Sequence, residues 1–189
     1  MITDIISRIK TELINIFDEI YTWFDVRPEV LDYLPVDGGW SVRLILEHIS
    51  LTNHFLLILI QKGSIKSLEK AKKKSQLQLL DSYDFNWDLM KQIGTPKLFE
   101  WNRPDHMEPS GKSTINEVLI RLQYQASQCL DILDQLKNGE GALYKTTMTV
   151  NGLGKIDVYH YVYFLVQHTR RHITQMQKVK EEFENQIIN

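Results

Sequence analysis

His168-Thr169-Arg170-Arg171-His172, set inside the long stretch 156–183, is the segment on which the reading of this chain turns. No Pro follows residue 156 and no Gly follows Gly154, so nothing local interrupts a helix there. At 100° per residue Val158, Tyr161, Leu165, Met176, Val179 and Phe183 share one arc. His168 and His172 lie within that arc, about 40° apart and one turn from each other. Arg170, Arg171, Lys178 and Glu181 are expected to point elsewhere. Two imidazoles on the buried face of a helix need polar partners. Backbone carbonyls or waters are one kind. A divalent metal is the other, because side chains at i and i+4 converge on one point.

Working outward, the next informative stretch is Gly39-Trp40-Ser41-Val42-Arg43-Leu44-Ile45-Leu46-Glu47-His48-Ile49. Ser41 is a natural N-cap. The helix it opens is predicted over 41–61, with Gly63 as its stop. Leu44, Ile45, Phe55 and Leu59 share the face of His48, whereas His54 falls on the far side beside Glu47 and reads as solvated. His48 is thus a third imidazole on an apolar stripe.

Two more helices complete the set. Ile2, Ile5, Ile6, Ile9, Leu13, Ile16, Phe17, Ile20 and Phe24 recur at helical spacing, predicting a helix over 2–24 capped by Thr3 or Asp4 and ended at Arg27-Pro28. Residues 28–40 then read as connector. Thr114 and Glu117 form a capping-box pattern before a stripe of Ile115, Val118, Leu122, Ala126, Cys129, Leu133 and Leu136, which predicts a helix over 114–138. Residues 146–150 are β-branched enough for a short extended segment before an Asn151-Gly152 turn, and the last helix is predicted over 156–184.

Between the second and third long helices lies a long connection, 62–112. It holds the basic residues Lys66, Lys70, Lys72, Lys73 and Lys74, best read as solvated surface. A short helix is predicted over 84–93 and an extended piece over 98–101. A connection of this length serves as a lid or an insert, and as a lid its Trp87, Phe99, Trp101 and Met107 would wall the histidine pocket.

Composition sets the outer limits. The 189 residues read as one domain, 1–189, and 43% hydrophobic with 24% charged residues is ordinary for a globular protein. A net charge of −2 gives no reason to expect nucleic acid. Cys129 is the one cysteine, so no internal disulfide forms, and its place on an apolar stripe reads as inert core. Neither a targeting segment nor an apolar run of membrane-spanning length is evident, so the expected address is the cytoplasm with no membrane partner. No phosphate loop, dinucleotide fingerprint or Gly-x-Ser-x-Gly elbow is present.

Trp40-Ser41 followed by His48-Ile49, then His168-x-x-x-His172 with Gln175 one turn on, resembles the DinB-like (DinB/YfiT-like) family. Residues 104–111, Pro-Asp-His-Met-Glu-Pro-Ser-Gly, resemble that family's lead-in to its third helix. The resemblance runs from Trp40 to Gln177. It implies an all-α four-helix bundle holding one divalent metal, zinc or nickel, on His48, His168 and His172. Its better-characterised members include transferases and isomerases that use a low-molecular-weight thiol.

Three neutral imidazoles leave the charge of a divalent ion uncompensated and a coordination position open. Such a centre favours an anionic fourth ligand and lowers the pKa of a thiol or a water that reaches it. The expectation is therefore a metal-dependent enzyme acting on a small molecule, as a thiol-cofactor S-transferase or a hydrolase in detoxification or stress response. Gln175, on the ligand face, is expected at the cofactor site, Glu108 is a candidate general base, and Glu47 faces the wrong way for that role. A homodimer is compatible with this reading. The rival is a metal-stabilised interaction protein without turnover, its site closed by a fourth ligand such as His106, His160 or a carboxylate.

Overall fold

The computed structural model describes residues 1–73, 83–98 and 104–188. These residues are mostly helical. Helix α1, Ile2–Tyr21, turns Ile6, Ile9, Leu13, Ile16, Phe17 and Ile20 inward. Each such side chain contributes about 1.5–3 kcal/mol through its burial. Thr3 and Asp4 lie inside its first turn, with Met1 at the N-cap, and Asp4 takes part in the cap by accepting from the Met1 amino group at 2.8 Å. A 3-10 turn, Thr22–Phe24, finishes the helix. Pro28 does end the preceding segment, but it also opens α2, Pro28–Asp32, because its fixed φ suits the first helical position.

Helix α3, Val42–Ala71, begins as predicted, with Ser41 Oγ accepting from the Leu44 amide at 3.3 Å. Its end is not where the sequence put it. Gly63 does not stop the helix, which runs on to Ala71 and shortens the expected 62–112 connection. A Cβ at Gly63 would lie 2.9 Å from Val158 Cγ2, so the glycine serves close approach between helices. Lys66, Lys70, Lys72 and Lys73 therefore sit on or just past the last turns of α3, with Lys66 paired to Glu69 at 2.9 Å. Lys74 lies outside the described residues.

Helix α4, Trp87–Lys91, is the predicted short helix, capped by Asn86, and it buries Met90 while Phe85 and Ile93 are buried on either side. Of the predicted extended piece only Leu98 is described. Helix α5, Ile115–Gln135, opens on the expected capping box, Glu117 N–H to Thr114 Oγ1 at 3.2 Å and Thr114 N–H to Glu117 Oε2 at 2.7 Å. Cys129 is fully buried on its inner face, and burial pushes the thiol up to about 12.

Strand β1, Lys145–Met148, pairs antiparallel with β2, Gly154–Asp157, in the register Lys145↔Asp157 to Met148↔Gly154. The Asn151-Gly152 turn is present, both residues at positive φ. The last helix starts two residues later than predicted because Ile156 and Asp157 belong to β2. It is α6, Val158–Ile188. Helix α3 packs on α5 and α6, and α1 packs on the same two. By length and composition α3 is apolar enough to cross a membrane, yet 61% of its apolar window is buried within the protein.

Candidate metal centre

His48 stands in the second turn of α3 and His168 and His172 in the middle of α6, the two helices being directly packed. All three are buried. One ligand nitrogen from each lies within 4.8 Å of the other two. Nε2 of His172 and Nε2 of His168 are 3.1 Å apart. Ring centroids are 4.8 Å apart for His48 and His172 and 5.3 Å for His48 and His168. The three predicted side chains are thus together.

Their outer nitrogens explain which atoms face the centre. His48 Nδ1–H donates to the Met107 carbonyl at 2.8 Å. His172 Nδ1–H donates to the Gln175 side-chain carbonyl at 2.9 Å. Each bond commits the proton to Nδ1 and leaves the Nε2 lone pair directed inward. Gln175 accordingly positions a histidine. The Met107 carbonyl is delivered by a loop that Glu47 clamps. The Glu47 carboxylate accepts from the Gly111 amide at 2.8 Å, Ser110 Oγ at 3.0 Å and Ser113 Oγ at 3.3 Å. Gly111 meets it at φ +70°, where a glycine is favoured. Glu47 faces away from the pocket, as expected, and its loop-holding role was not foreseen.

The donor set fits a divalent cation. Two imidazole lone pairs repel at 3.1 Å unless a proton or a cation lies between them. Nitrogens bound tetrahedrally at 2.0–2.1 Å from one zinc ion would be about 3.3 Å apart, close to that spacing. His168 is held well below the usual imidazole range, first by burial, then by His172, His48 and Arg171, so it is neutral and ready to donate. Among the described residues the group has these three members.

Beside it lies a cavity of about 530 Å³. Phe55, Leu59, Met148, Val150 and Phe164 give it apolar walls, and all three histidines and Gln175 line it. Trp40 closes one side, its ring 4.8 Å from that of His48. Met107 lines it as predicted, whereas Trp87 does not: it packs on Tyr163 with Arg8 3.8 Å over its ring. Phe99 and Trp101 lie outside the described residues. The tip of the β1–β2 hairpin supplies Met148, Thr149 and Val150, a wall that no local sequence signal announced.

Arg171 is the clearest correction. It was expected to point away from the histidines, yet it lines the same cavity, half-buried, with Nη1–H donating to the Thr95 carbonyl at 2.9 Å. A residue 100° from His172 sits on the adjacent side of the helix, and the pocket is wide enough to include it. Arg170 points away as expected, to Glu12 at 3.2 Å. Glu108 is exposed and is not part of the cavity wall. His54 is exposed, His106 packs on Phe55 outside the histidine group, and His160 pairs with Asp157 at 2.8 Å.

Comparison with known proteins bears on what this geometry is for. The profile of the DinB superfamily matches residues 19–176, most of the chain, and the protein belongs to that superfamily. Neither the curated proteins nor the solved structures provide a significant match.

Proposed function

We propose that this member of the DinB superfamily is a metal-dependent enzyme built on a four-helix bundle. His48, His168 and His172 would hold one divalent ion, zinc or nickel, and a small molecule would react in the adjoining cavity. The reaction is transfer to or from a thiol cofactor, or hydrolysis, in a cytoplasmic detoxification or stress role, by a monomer or a homodimer.

One observation carries this reading: three buried imidazoles present their inner nitrogens beside an apolar-walled cavity of about 530 Å³, large enough for a small substrate. The mutual packing of α1, α3, α5 and α6 supports the bundle. A divalent ion bound there supplies Lewis acidity and lowers the pKa of a thiol or water brought to it. The chain's own residues do the rest. Met107 and Gln175 hold two imidazoles in one tautomer and orientation. Burial keeps His168 neutral. Phe55, Phe164 and the hairpin tip give the cavity beside the histidines an apolar wall.

Metal content after reconstitution with Zn²⁺, Ni²⁺ or Mn²⁺, followed by assays of thiol transfer and ester or amide hydrolysis, tests the proposal. One ion per chain and a turnover abolished by chelation are expected. Activity that survives complete metal removal would overturn it.

A further inference from the structure

The cavity beside the histidines is walled by rings and thioethers. Trp40, Phe55 and Phe164 line it from three places: the segment before α3, α3 itself and α6. Met107 and Met148 reach it from the loop before α5 and from the hairpin. Each of the three rings stands against an imidazole. Trp40 packs on His48 with centroids 4.8 Å apart, Phe55 on His106 at 4.2 Å, and Phe164 faces His168 at 6.4 Å, nearly parallel at 12°. Two of the polar side chains in the wall are already engaged within the protein. Arg171 is the one Lys, Arg, Asp or Glu among the described lining residues, and it donates to the Thr95 carbonyl at 2.9 Å. Gln175 accepts from His172 Nδ1 at 2.9 Å.

We propose that this cavity takes neutral molecules with an aromatic body, the ring system lying among Trp40, Phe55 and Phe164 and the reacting group turned to the histidines. The proposal rests on the cavity being the substrate site and names the class of substrate it takes. Three features carry it. Ring pairs in offset or edge-to-face contact gain more than the area they bury, and sulfur adds a favourable contact at a ring edge. A saturated body of the same skeleton covers similar area with neither gain. The wall rings are pre-oriented by the imidazoles they stand against, so little order is lost when a ligand ring joins them. Two of those imidazoles, His48 and His168, belong to the histidine group, so a ring held on Trp40 or Phe164 stands next to the reacting end. An anionic body gains nothing comparable: it gives up its hydration to apolar walls, and Arg171 already has a partner.

2-Naphthol, decahydro-2-naphthol and 2-naphthoate are suitable probes. The first two share a skeleton and differ in aromaticity, and the third keeps the rings and adds a charge. Their affinities are measured calorimetrically on the full chain, stripped of metal by chelator and then desalted, so that binding to a metal ion cannot supply the preference. 2-Naphthol should bind at least about threefold more tightly than its saturated analogue, the effect of about one ring pair, and at least about tenfold more tightly than 2-naphthoate. Phe55→Leu and Phe164→Leu should each narrow the aromatic-to-saturated ratio, and the double variant should narrow it further. Tyr124→Leu, which removes an exposed ring on α5 away from the cavity, should leave it intact. Equal affinities for the aromatic and saturated probes would overturn the proposal, as would tighter binding of 2-naphthoate. So would a ratio that survives in the double variant or falls equally in Tyr124→Leu. If Phe164→Leu does not fold, Phe55→Leu, at a half-buried position, decides the matter. Because no metal is present, failure of the metal-enzyme reading shows separately in metal content and leaves this measurement standing.

Discussion

Helix α6 carries histidines at two places, and they are handled in opposite ways. At its first turn His160 donates to Asp157 Oδ1 at 2.8 Å and stacks on Phe85, with ring centroids 4.1 Å apart. Asp157 also accepts from the His160 amide at 3.1 Å, as an N-cap does, and from Tyr83 Oη at 2.9 Å. Here polar groups consume one another, and the cluster anchors the hairpin and the residues around Tyr83 to the helix start. Further along α6, His172 Nδ1 meets the neutral Gln175 side-chain carbonyl, and its Nε2 faces that of His168 beside a cavity. Burial of a histidine therefore says little by itself. The charge and position of its partner separate a structural histidine from a candidate ligand.

The largest effect expected along this contrast is at His172. Metal in excess of its Kd by a hundred- to a thousandfold should stabilise the wild type by about 2.7–4.1 kcal/mol. His172→Gln should lose most of that gain, while His54→Gln, changed at an exposed position, keeps it. Melting curves with chelator and with excess Zn²⁺ or Ni²⁺ measure both. An undiminished response in His172→Gln would erase the distinction between the two places.

The reverse experiment is Asp157→Ala. It removes a buried carboxylate with three bonds and should cost about 2–3 kcal/mol in denaturant unfolding. The metal response should be unchanged, since the cluster sits two turns from the candidate ligands. A matching loss of metal affinity would show the two regions to be coupled.

Gln175 tests orientation alone. Gln175→Leu removes the acceptor of the His172 Nδ1 proton. Metal affinity should fall about 10–100-fold, while metal-free stability changes little. An affinity within twofold of wild type would mean that packing alone holds the ring.

The smallest effect is in pH. His168 has its folded pKa depressed by burial first, then by His172, His48 and Arg171, beside which a further positive charge is disfavoured. Between that value and the unfolded value near 6.5 the folded state binds fewer protons than the unfolded one. Stability of the metal-free protein therefore falls as pH drops below about 6.5, by up to about 1.4 kcal/mol per pH unit, with no contribution above it. His168→Gln should flatten the dependence, and an unaltered slope would assign the acid sensitivity elsewhere. For the metal-loaded protein the same proton competition predicts release below about pH 5–6, read as metal content at equilibrium.

Much of the frame was legible from local signals. Ser41, and Thr114 with Glu117, cap the helices they were expected to cap, because a cap is settled within three or four residues. The apolar arcs gave the inward faces of α1, α5 and α6, and they placed His48, His168 and His172 on buried stripes. Gly63 was misread because a glycine looks the same in sequence whether it ends a helix or admits a neighbour. Only Val158, 95 residues away and 2.9 Å from the missing Cβ, distinguishes the two. Residues 156–157 were misread because their strand partner lies across the hairpin.

What the sequence by itself determined, then, is the four long helices, their buried faces and the three histidines, since helical period and capping act over a few residues. Tertiary structure alone decided that the three imidazoles meet and that Met107 and Gln175 hold two of them. It also decided that the hairpin tip closes the pocket and that Arg171 belongs to it rather than to solvent. Each of these depends on which atoms of distant segments come within a few ångströms, a quantity set by packing of the whole chain and by no spacing along it.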